Sequence, residues 1–185
     1  MSRSKILFIV GSVRKDSFNR QLSRIAYNMV AEWHDVDYLD PASVPYMNQD
    51  LEADVPETVK SAREAVMSSD AVWIFTPEYN RSIPGVLKNL LDWLSRPLDL
   101  NDPDRVSALT SKKVIITGVG GGKRTEFCRK ALFDMLTFVG MEVLDGEGAG
   151  FSLDRRAFAE GIWEPDEDCI NVLRQQADKL HSSLE

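Results

Sequence analysis

The sequence predicts an α/β fold in which an open, doubly wound parallel sheet of five strands lies between two layers of helices. Short apolar runs alternate with longer segments whose apolar residues recur at helical spacing, which is the pattern of repeated βαβ units. The 185 residues suit five such units and contain neither an internal repeat nor a long linker. Residues 1–185 are therefore expected to form a single domain.

The strands are predicted from apolar runs. Residues 5–10 and 71–75 are nearly continuous runs rich in Ile, Val and Phe, which is typical of parallel strands covered on both faces. Residues 113–117 continue the same pattern. The shorter segments 36–39 and 141–144 supply the second and fifth strands of the prediction.

The helices are predicted from apolar stripes. In the first of them, Leu22, Ala26 and Met29 lie on one face of a helix. The five stripes cover residues 22–30, 59–66, 86–94, 128–139 and 170–180.

A flavodoxin-like strand order of 2-1-3-4-5 would place strands one, three and four side by side. Ligands of open α/β sheets bind beyond the carboxyl ends of the strands, near the switch in strand order. The loops after these three strands, residues 11–18, 76–84 and 118–122, are rich in Gly, Ser, Pro and Asn. We expect the three loops to converge on one ligand.

Composition excludes several classes of function. With 29 acidic and 22 basic side chains the net charge is −7, which makes nucleic acid an unlikely partner. The longest apolar runs have about five residues, whereas a membrane-spanning helix needs about 20, and the first residues do not form a signal peptide. Cys128 and Cys169 lack CxxC spacing, so we expect reduced thiols in a cytoplasmic protein, with neither a disulfide nor a metal site.

The first loop has the composition of a phosphate site. Gly11 permits a sharp turn, Ser12, Ser17 and Asn19 offer short polar side chains, and Arg14 adds a permanent positive charge. The following helix directs backbone N–H groups toward the same place. The alternative is that Ser17 or Asn19 only caps the helix and that Arg14 is solvated.

Two common nucleotide motifs are absent from the sequence. Residues 11–13, Gly-Ser-Val, lack the second glycine of GxGxxG, so the dinucleotide fingerprint is incomplete. The late glycine cluster fails as a P-loop, because Thr117 stands where Gly is required and Arg124 follows Lys123.

The other two loops fit a flat heterocycle. Tyr79 offers a ring and Asn80 an amide, in a loop stiffened by Pro77 and Pro84. The alternative is a rigid turn that only starts the next helix. The glycines of residues 118–122 would let a third loop approach the ligand closely, although a flexible turn has the same composition.

Together the loops resemble the NADPH-dependent FMN reductase family, a flavodoxin-like group that includes quinone, chromate and azo-dye reductases. The family pattern GSxRxxSxN stands complete at residues 11–19, and PEYNxSxPGxLKNxxDW stands complete at residues 77–93. The resemblance covers about residues 4–145. Residues 151–168 match no pattern of the family.

The resemblance implies non-covalently bound FMN, with NADPH or NADH as the electron donor and a quinone, azo compound, metal oxyanion or free flavin as the acceptor. It also implies a homodimer or homotetramer. The implied phosphate ligands are Ser12, Arg14, Ser17, Phe18 and Asn19; the implied isoalloxazine contacts are Pro77, Glu78, Tyr79 and Asn80, with Thr117 and Gly118 on the far side.

No acid–base residue is expected, since the flavin performs the redox chemistry. His34 and His181 receive no catalytic role, and Glu78 is interpreted as structural or flavin-orienting. Arg81 has two interpretations: a solvated charge in the loop, or a contact to the 2′-phosphate of NADPH. Two other functions stay open: an FMN electron carrier without substrate turnover, and a dinucleotide-binding dehydrogenase in which Asp40 holds a ribose.

Overall fold

The computed structural model describes residues 3–185, and its centre is a parallel sheet. The strands are β1 (Lys5–Val10), β2 (Asp35–Leu39), β3 (Ala71–Thr76), β4 (Lys113–Gly120), β5 (Glu142–Val143) and β6 (Ala149–Ser152). The first five have the order β2-β1-β3-β4-β5, which confirms the predicted order. The sixth strand, β6, pairs with β4 beyond the end of β5.

Helices cover both faces of the sheet. One face packs against α1 and α6 through alternate strand residues such as Phe8 and Trp73, and the other packs against α2, α3 and α4 through residues such as Leu7 and Ile74. This alternation produces the continuous apolar runs of the central strands. The helices are α1 (Phe18–Val30), α2 (Glu57–Met67), α3 (Gly85–Leu94), α4 (Glu126–Phe138), α5 (Arg155–Glu160) and α6 (Glu167–Leu184).

Two short strands share the sheet edge beside β4. Strand β5 pairs with the start of β4, and β6 pairs with residues 117–120 at its end. Between them Gly148 has a φ of +72°, and a Cβ there would lie 2.0 Å from the carbonyl oxygen of Ile116. The Arg129 guanidinium donates to the carbonyls of Glu147 and Gly148 at 2.9 and 2.7 Å and fixes the chain where it returns to the sheet.

Helix α5 is an element that the sequence did not predict. The Asp154 carboxylate accepts a hydrogen bond from the N–H of Ala157 at 2.8 Å, and the helix ends at Glu160 before Gly161, which has a φ of +72°. Its six residues are too few to show a helical period. Residues 151–168, which no motif explained, therefore contain both the end of β6 and a complete short helix.

A buried polar network joins the sheet to α6. The Trp73 indole N–H donates to the Thr117 hydroxyl at 2.8 Å, which donates to Gln176 Oε1 at 2.7 Å. Gln176 Nε2 donates to Asp145 Oδ2 at 3.0 Å, and Lys179 Nζ donates to the other oxygen of that carboxylate at 2.8 Å. The buried polar groups of Trp73, Thr117 and Gln176 thus have partners, which low dielectric surroundings demand.

The two histidines meet at the amino-terminal edge of the sheet. His34 Nε2 and His181 Nδ1 lie 3.1 Å apart, and His34 Nδ1 lies 2.6 Å from the Ser4 hydroxyl. Burial, the nearby His181 and Arg3 lower the pKa of His34, in that order of size. The pair therefore links the start of β2 to α6 while His34 is held neutral.

Within residues 3–185, none of the helices combines the length and the apolar composition needed to cross a membrane.

Thr117→Val tests the buried network. The substitution keeps the shape of the side chain but leaves the Trp73 N–H and Gln176 Oε1 unpaired, so we expect a loss of about 1–3 kcal/mol in the free energy of unfolding. Chemical denaturation measures the loss. Thr137→Val, at an exposed position of α4, should stay within about 0.5 kcal/mol of the wild type, and equal effects of the two substitutions would contradict the network.

The His34 pair predicts a pH dependence of stability. The folded pKa of His34 is lowered, so the unfolded chain takes up the proton first. Stability should therefore fall as the pH is lowered from about 6.5, and the fall should end once His34 is protonated in the folded state as well. The neighbouring charges are His181, Arg3 and Asp70. His34→Gln should reduce the change of the denaturation midpoint with pH between pH 7.5 and about 5. An unchanged slope of midpoint against pH would refute the assignment.

Candidate functional site

A cavity of about 280 Å³ lies at the carboxyl ends of β1, β3 and β4. This is where the strand order switches between β1 and β3, the usual binding position in such sheets. Four segments line the cavity: the β1–α1 loop with the start of α1, the β3–α3 loop, the end of β4, and the segment around α5. The lining residues are Ser12, Arg14, Ser17, Phe18, Asn19, Pro77, Glu78, Tyr79, Val119, Gly120, Gly121, Leu153, Ala157, Phe158 and Gly161.

The β1–α1 loop leaves the amino end of α1 available to a ligand. Ser17 is the N-cap residue, but its hydroxyl makes no capping hydrogen bond, and residues 18–21 of the first turn contain no acidic side chain. The first N–H groups of a helix lack intrahelical partners. Ser12 and Ser17 are both buried and line the cavity. Hydroxyl groups and backbone N–H donors therefore lie together where the sequence predicts an anion site.

Arg14 supplies the positive charge of this end of the cavity. Its guanidinium lies 4.9 Å from the centre of the Phe18 ring, within the range of a cation–π contact. The Phe18 ring in turn meets Trp163 edge to face, with 6.4 Å between ring centres. Arg14 is thus placed beside the helix terminus by an aromatic pair that joins α1 to the segment after α5.

Asn19 joins the first loop to the third. Its Nδ2 donates to the carbonyl of Val119 at 2.9 Å, and its Oδ1 accepts from the N–H of Val119 at 3.0 Å. Asn19 also lines the cavity, and its Nδ2 carries a second N–H that these two bonds do not use.

The β3–α3 loop contains a tight hairpin turn. Tyr79 and Ser82 exchange two backbone hydrogen bonds, of 3.3 and 3.0 Å. Asn80 and Arg81 between them have φ values of 52° and 58°, as a type I′ turn requires. The turn places Asn80 away from the lining of the cavity, and the Arg81 guanidinium lies 5.0 Å from the Phe127 ring centre.

Glu78 caps helix α4 from the neighbouring loop. Its Oε2 accepts a hydrogen bond of 2.9 Å from the N–H of Cys128, in the first turn of α4. Thr125, the N-cap of that helix, makes no side-chain capping bond. A carboxylate at this end is favoured by the helix dipole. This geometry agrees with a structural role for Glu78 and argues against a general acid.

Cys128 lies beneath the same loop as a neutral thiol. Its sulfur is 3.4 Å from the Thr76 hydroxyl. Burial, as the largest cause, raises the pKa of the Cys128 thiol to about 11. A thiol that stays protonated at neutral pH is a poor nucleophile and metal ligand. The site therefore does not offer thiolate chemistry at this position.

Thr117 and Gly118, predicted on the far side of the flavin, do not line the cavity. The Thr117 hydroxyl lies between Trp73 and Gln176 inside the sheet. A Cβ on Gly118 would lie 2.2 Å from Thr125 Oγ1, so glycine permits α4 to approach β4. The segment that does reach the cavity is 119–121, only a little further along the chain.

The sequence also missed the wall formed by Leu153, Ala157, Phe158 and Gly161. Its only signal was the pair of helix ends, an Asp at the start and a Gly after the end. Asp40, the candidate ribose ligand of a dehydrogenase, accepts instead from the N–H of Ala42 at 2.9 Å and caps a short turn.

FMN fits the residues that the structure brings together. One end of the cavity offers hydroxyl groups, helix N–H groups and Arg14, the donor set that a phosphate monoester requires. The other walls combine glycine backbone with mostly apolar residues such as Pro77, Val119 and Leu153, which suit a flat heterocycle.

Comparison with known proteins agrees with this geometry. The family model described as NADPH-dependent FMN reductase matches residues 4–153. A 2-hydroxy-1,4-benzoquinone reductase of Burkholderia sp is 44% identical over 93 residues, which are 50% of this chain and 51% of that protein. The matched segment thus spans about half the length of this relative.

Two other relatives match nearly end to end. An NAD(P)H-dependent FMN reductase of Pseudomonas aeruginosa is 30% identical over 178 residues, 95% of this chain and 92% of that protein. The solved structure of FerB, a flavoenzyme NAD(P)H:(acceptor) oxidoreductase from Paracoccus denitrificans, superposes with a TM-score of 0.82 at 29% identity, covering 97% of this chain and 96% of that one. The chain belongs to the NADPH-dependent FMN reductase family.

Proposed function

We propose that the protein is an FMN-dependent oxidoreductase that uses NAD(P)H to reduce a quinone or a similar acceptor. The observation that carries this proposal is the cavity, which has an uncapped helix terminus beside Arg14 at one end and the aromatic residues Tyr79 and Phe158 in its lining. The net reaction is NAD(P)H plus H⁺ plus quinone giving NAD(P)⁺ plus hydroquinone. Two electrons and one proton leave the donor as hydride, and the second proton comes from solvent.

Each segment of the cavity would have a distinct part in holding FMN. Ser12, Ser17 and the N–H groups at the start of α1 would bind the phosphate, with Arg14 neutralising its charge. The backbone of residues 77–79 and 119–121 would hold the ring system. When bound, FMN supplies the hydride-accepting and electron-transferring chemistry, so the protein's work is to bind and orient.

The positions of the histidines and of Glu78 agree with a protein that binds and orients FMN. His34 and His181 lie at the amino-terminal edge of the sheet, opposite the cavity, and pair with each other. The Glu78 carboxylate caps α4. The two histidines thus lie away from the cavity, and the Glu78 carboxylate, which lines it, is hydrogen-bonded to α4.

The names of the relatives support a quinone as the acceptor. The Burkholderia protein is a 2-hydroxy-1,4-benzoquinone reductase, and a quinone reductase of Escherichia coli is 35% identical over 148 residues. Azo compounds, metal oxyanions and free flavin are further acceptors of the proposed class. The electron-carrier alternative gains no observation of its own, since the complete PEYN segment at residues 77–80 resembles the reductases.

We further propose that residues 1–185 act as one cytoplasmic FMN-binding domain in a homodimer or homotetramer. Tyr46 is 90% exposed, and its neighbour Pro45 is held against α3 by hydrogen bonds of 2.9 Å from Asn89 and Trp93. Leu98 and Leu100, just beyond the end of α3, are also exposed. Exposed apolar groups close to one helix favour a protein contact there.

Light scattering on the purified protein tests the oligomer. We expect the mass of two or four chains, and Tyr46→Asp should lower it by placing a charge in the contact. Tyr27→Asp, at a 41% exposed position of α1 on the opposite face of the sheet from α3, is the matched control and should leave the mass unchanged. A wild-type mass of one chain across the accessible concentration range would refute the assembly.

The cofactor proposal is tested by flavin binding. The purified protein should carry flavin absorbance in the near-ultraviolet and blue, and Arg14→Ala should raise the Kd for FMN about 10- to 100-fold, because a charge-assisted contact to phosphate is lost. The Kd for riboflavin, which lacks the phosphate, should change little. Lys15→Ala, an exposed neighbour outside the cavity lining, should leave both constants unchanged.

Steady-state oxidation of NAD(P)H with a quinone completes the test. Turnover that depends on bound FMN is the expected result. A protein that binds FMN yet turns over with neither quinone, azo compound nor ferricyanide would be an electron carrier. A protein that fails to bind FMN at all would contradict both functions.

A further inference from the structure

We propose that Phe158 determines acceptor specificity: together with Tyr79 it forms an aromatic entrance that favours planar aromatic acceptors over inorganic ones. The inference rests on the proposed function and adds a residue from outside the segment that the family model matches, which ends at residue 153. Phe158 lies on α5 and lines the same cavity as the β1–α1 loop.

The exposure of Phe158 is the first observation. Its side chain is 66% exposed, whereas Ala157 beside it is 2% exposed and Trp163 after the helix is 8% exposed. The segment therefore buries Ala157 and Trp163 against the core, whereas Phe158 stays largely exposed at a position that lines the cavity. Exposed aromatic rings at a cavity offer a large apolar contact area to a ligand.

The topology places the two rings on opposite sides of the cavity floor. Tyr79 follows β3 and is 53% exposed, while Phe158 follows β6. Strands β3 and β6 pair with opposite edges of β4, and residues 119–121 at the end of β4 lie between them and line the cavity. A flat molecule above this floor would have an aromatic ring available on either side.

The segment that carries Phe158 is fixed at both ends. The N–H of Leu153 donates to the carbonyl of Gly120 at 2.7 Å, and Asp154 caps the helix at Ala157. Beyond α5, the Trp163 ring packs on Phe18 at the start of α1. These contacts hold the helix in place beside the cavity, so binding a ring there costs little ordering of the chain.

Ring stacking gives the entrance its selectivity. A quinone is flat and electron-poor. Offset or edge-to-face contacts with Phe and Tyr stabilise the bound quinone about as much as a contact between two aromatic side chains stabilises a protein. A compact inorganic anion such as ferricyanide has no ring to stack. Acceptors should therefore differ in their dependence on Phe158 even though they receive electrons from the same cofactor.

Calorimetry on the oxidised holoenzyme, without NAD(P)H, tests binding separately from turnover. The probe is 2-naphthol, a flat aromatic that cannot accept electrons as a quinone does. Phe158→Ala should raise its Kd about 3- to 10-fold, and Phe158→Tyr should restore it. Phe138→Ala removes a comparably exposed ring from α4, outside the cavity, and should leave the Kd unchanged. Equal constants for wild type and Phe158→Ala would overturn the proposal.

Kinetics with two acceptors gives the second readout. The loss of kcat/KM caused by Phe158→Ala should be about 3- to 10-fold greater for 2-methyl-1,4-naphthoquinone than for ferricyanide, and it should appear in KM for the quinone. Equal losses with both acceptors would overturn the proposal, as would a change in the oligomer's mass that accounts for them. If the wild type reduces neither acceptor, the proposed function fails instead.

Discussion

The pair of hydrogen bonds between the Asn19 side chain and the Val119 backbone is the interaction on which the site depends. Strand β3 lies between β1 and β4 in the sheet, so backbone pairing does not join their loops directly. Asn19 spans that gap from the first turn of α1. Both hydrogen bonds are buried, and removing the amide would leave two backbone groups unpaired at about 1–3 kcal/mol each.

Other contacts complete the frame around this bridge. Glu78 joins the β3–α3 loop to α4, and the N–H of Leu153 joins the segment after β6 to Gly120. Each wall of the cavity is thereby tied to a neighbouring element by a specific hydrogen bond. A site held in this way is preformed, and preformed sites bind with less ordering cost.

The overall charge of −7 does not oppose phosphate binding at such a site. The first turn of α1 has no acidic side chain among residues 18–21, and Arg14 is stacked beside it. Helix N–H groups act within the first turn, at a range where distant surface carboxylates are screened by salt. The local field of one loop therefore decides whether the anion binds.

The sequence could predict the fold because its central strands are continuous apolar runs and its loops contain complete motifs. Residues 5–10 and 71–75 need cover on both faces, which dictates helices on both sides of a parallel sheet. The motifs likewise identified which loops converge. They could not show which distant residues a side chain contacts: Asn19 is hydrogen-bonded to Val119 and Thr117 to Gln176, which lie 100 and 59 residues away along the chain.

The sequence did not predict β6 and α5, because these segments are too short to carry a local pattern. Strand β6 has four residues and α5 has six, too few for either period to emerge. Their positions are set by tertiary contacts, above all Arg129 on the carbonyl of Gly148 and Trp163 on Phe18. The wall of the cavity that contains Phe158 could therefore not be predicted from the sequence pattern.

Amide hydrogen exchange at Val119 in the FMN-free protein tests the central claim most directly. If the Asn19 bridge preforms the site, this amide exchanges slowly without FMN and becomes fast in Asn19→Ala, while the amide of Ile115 in the middle of β4 stays protected in both. Fast exchange at Val119 in the FMN-free wild type would show that the bridge forms only when the cofactor binds, and it would contradict the account.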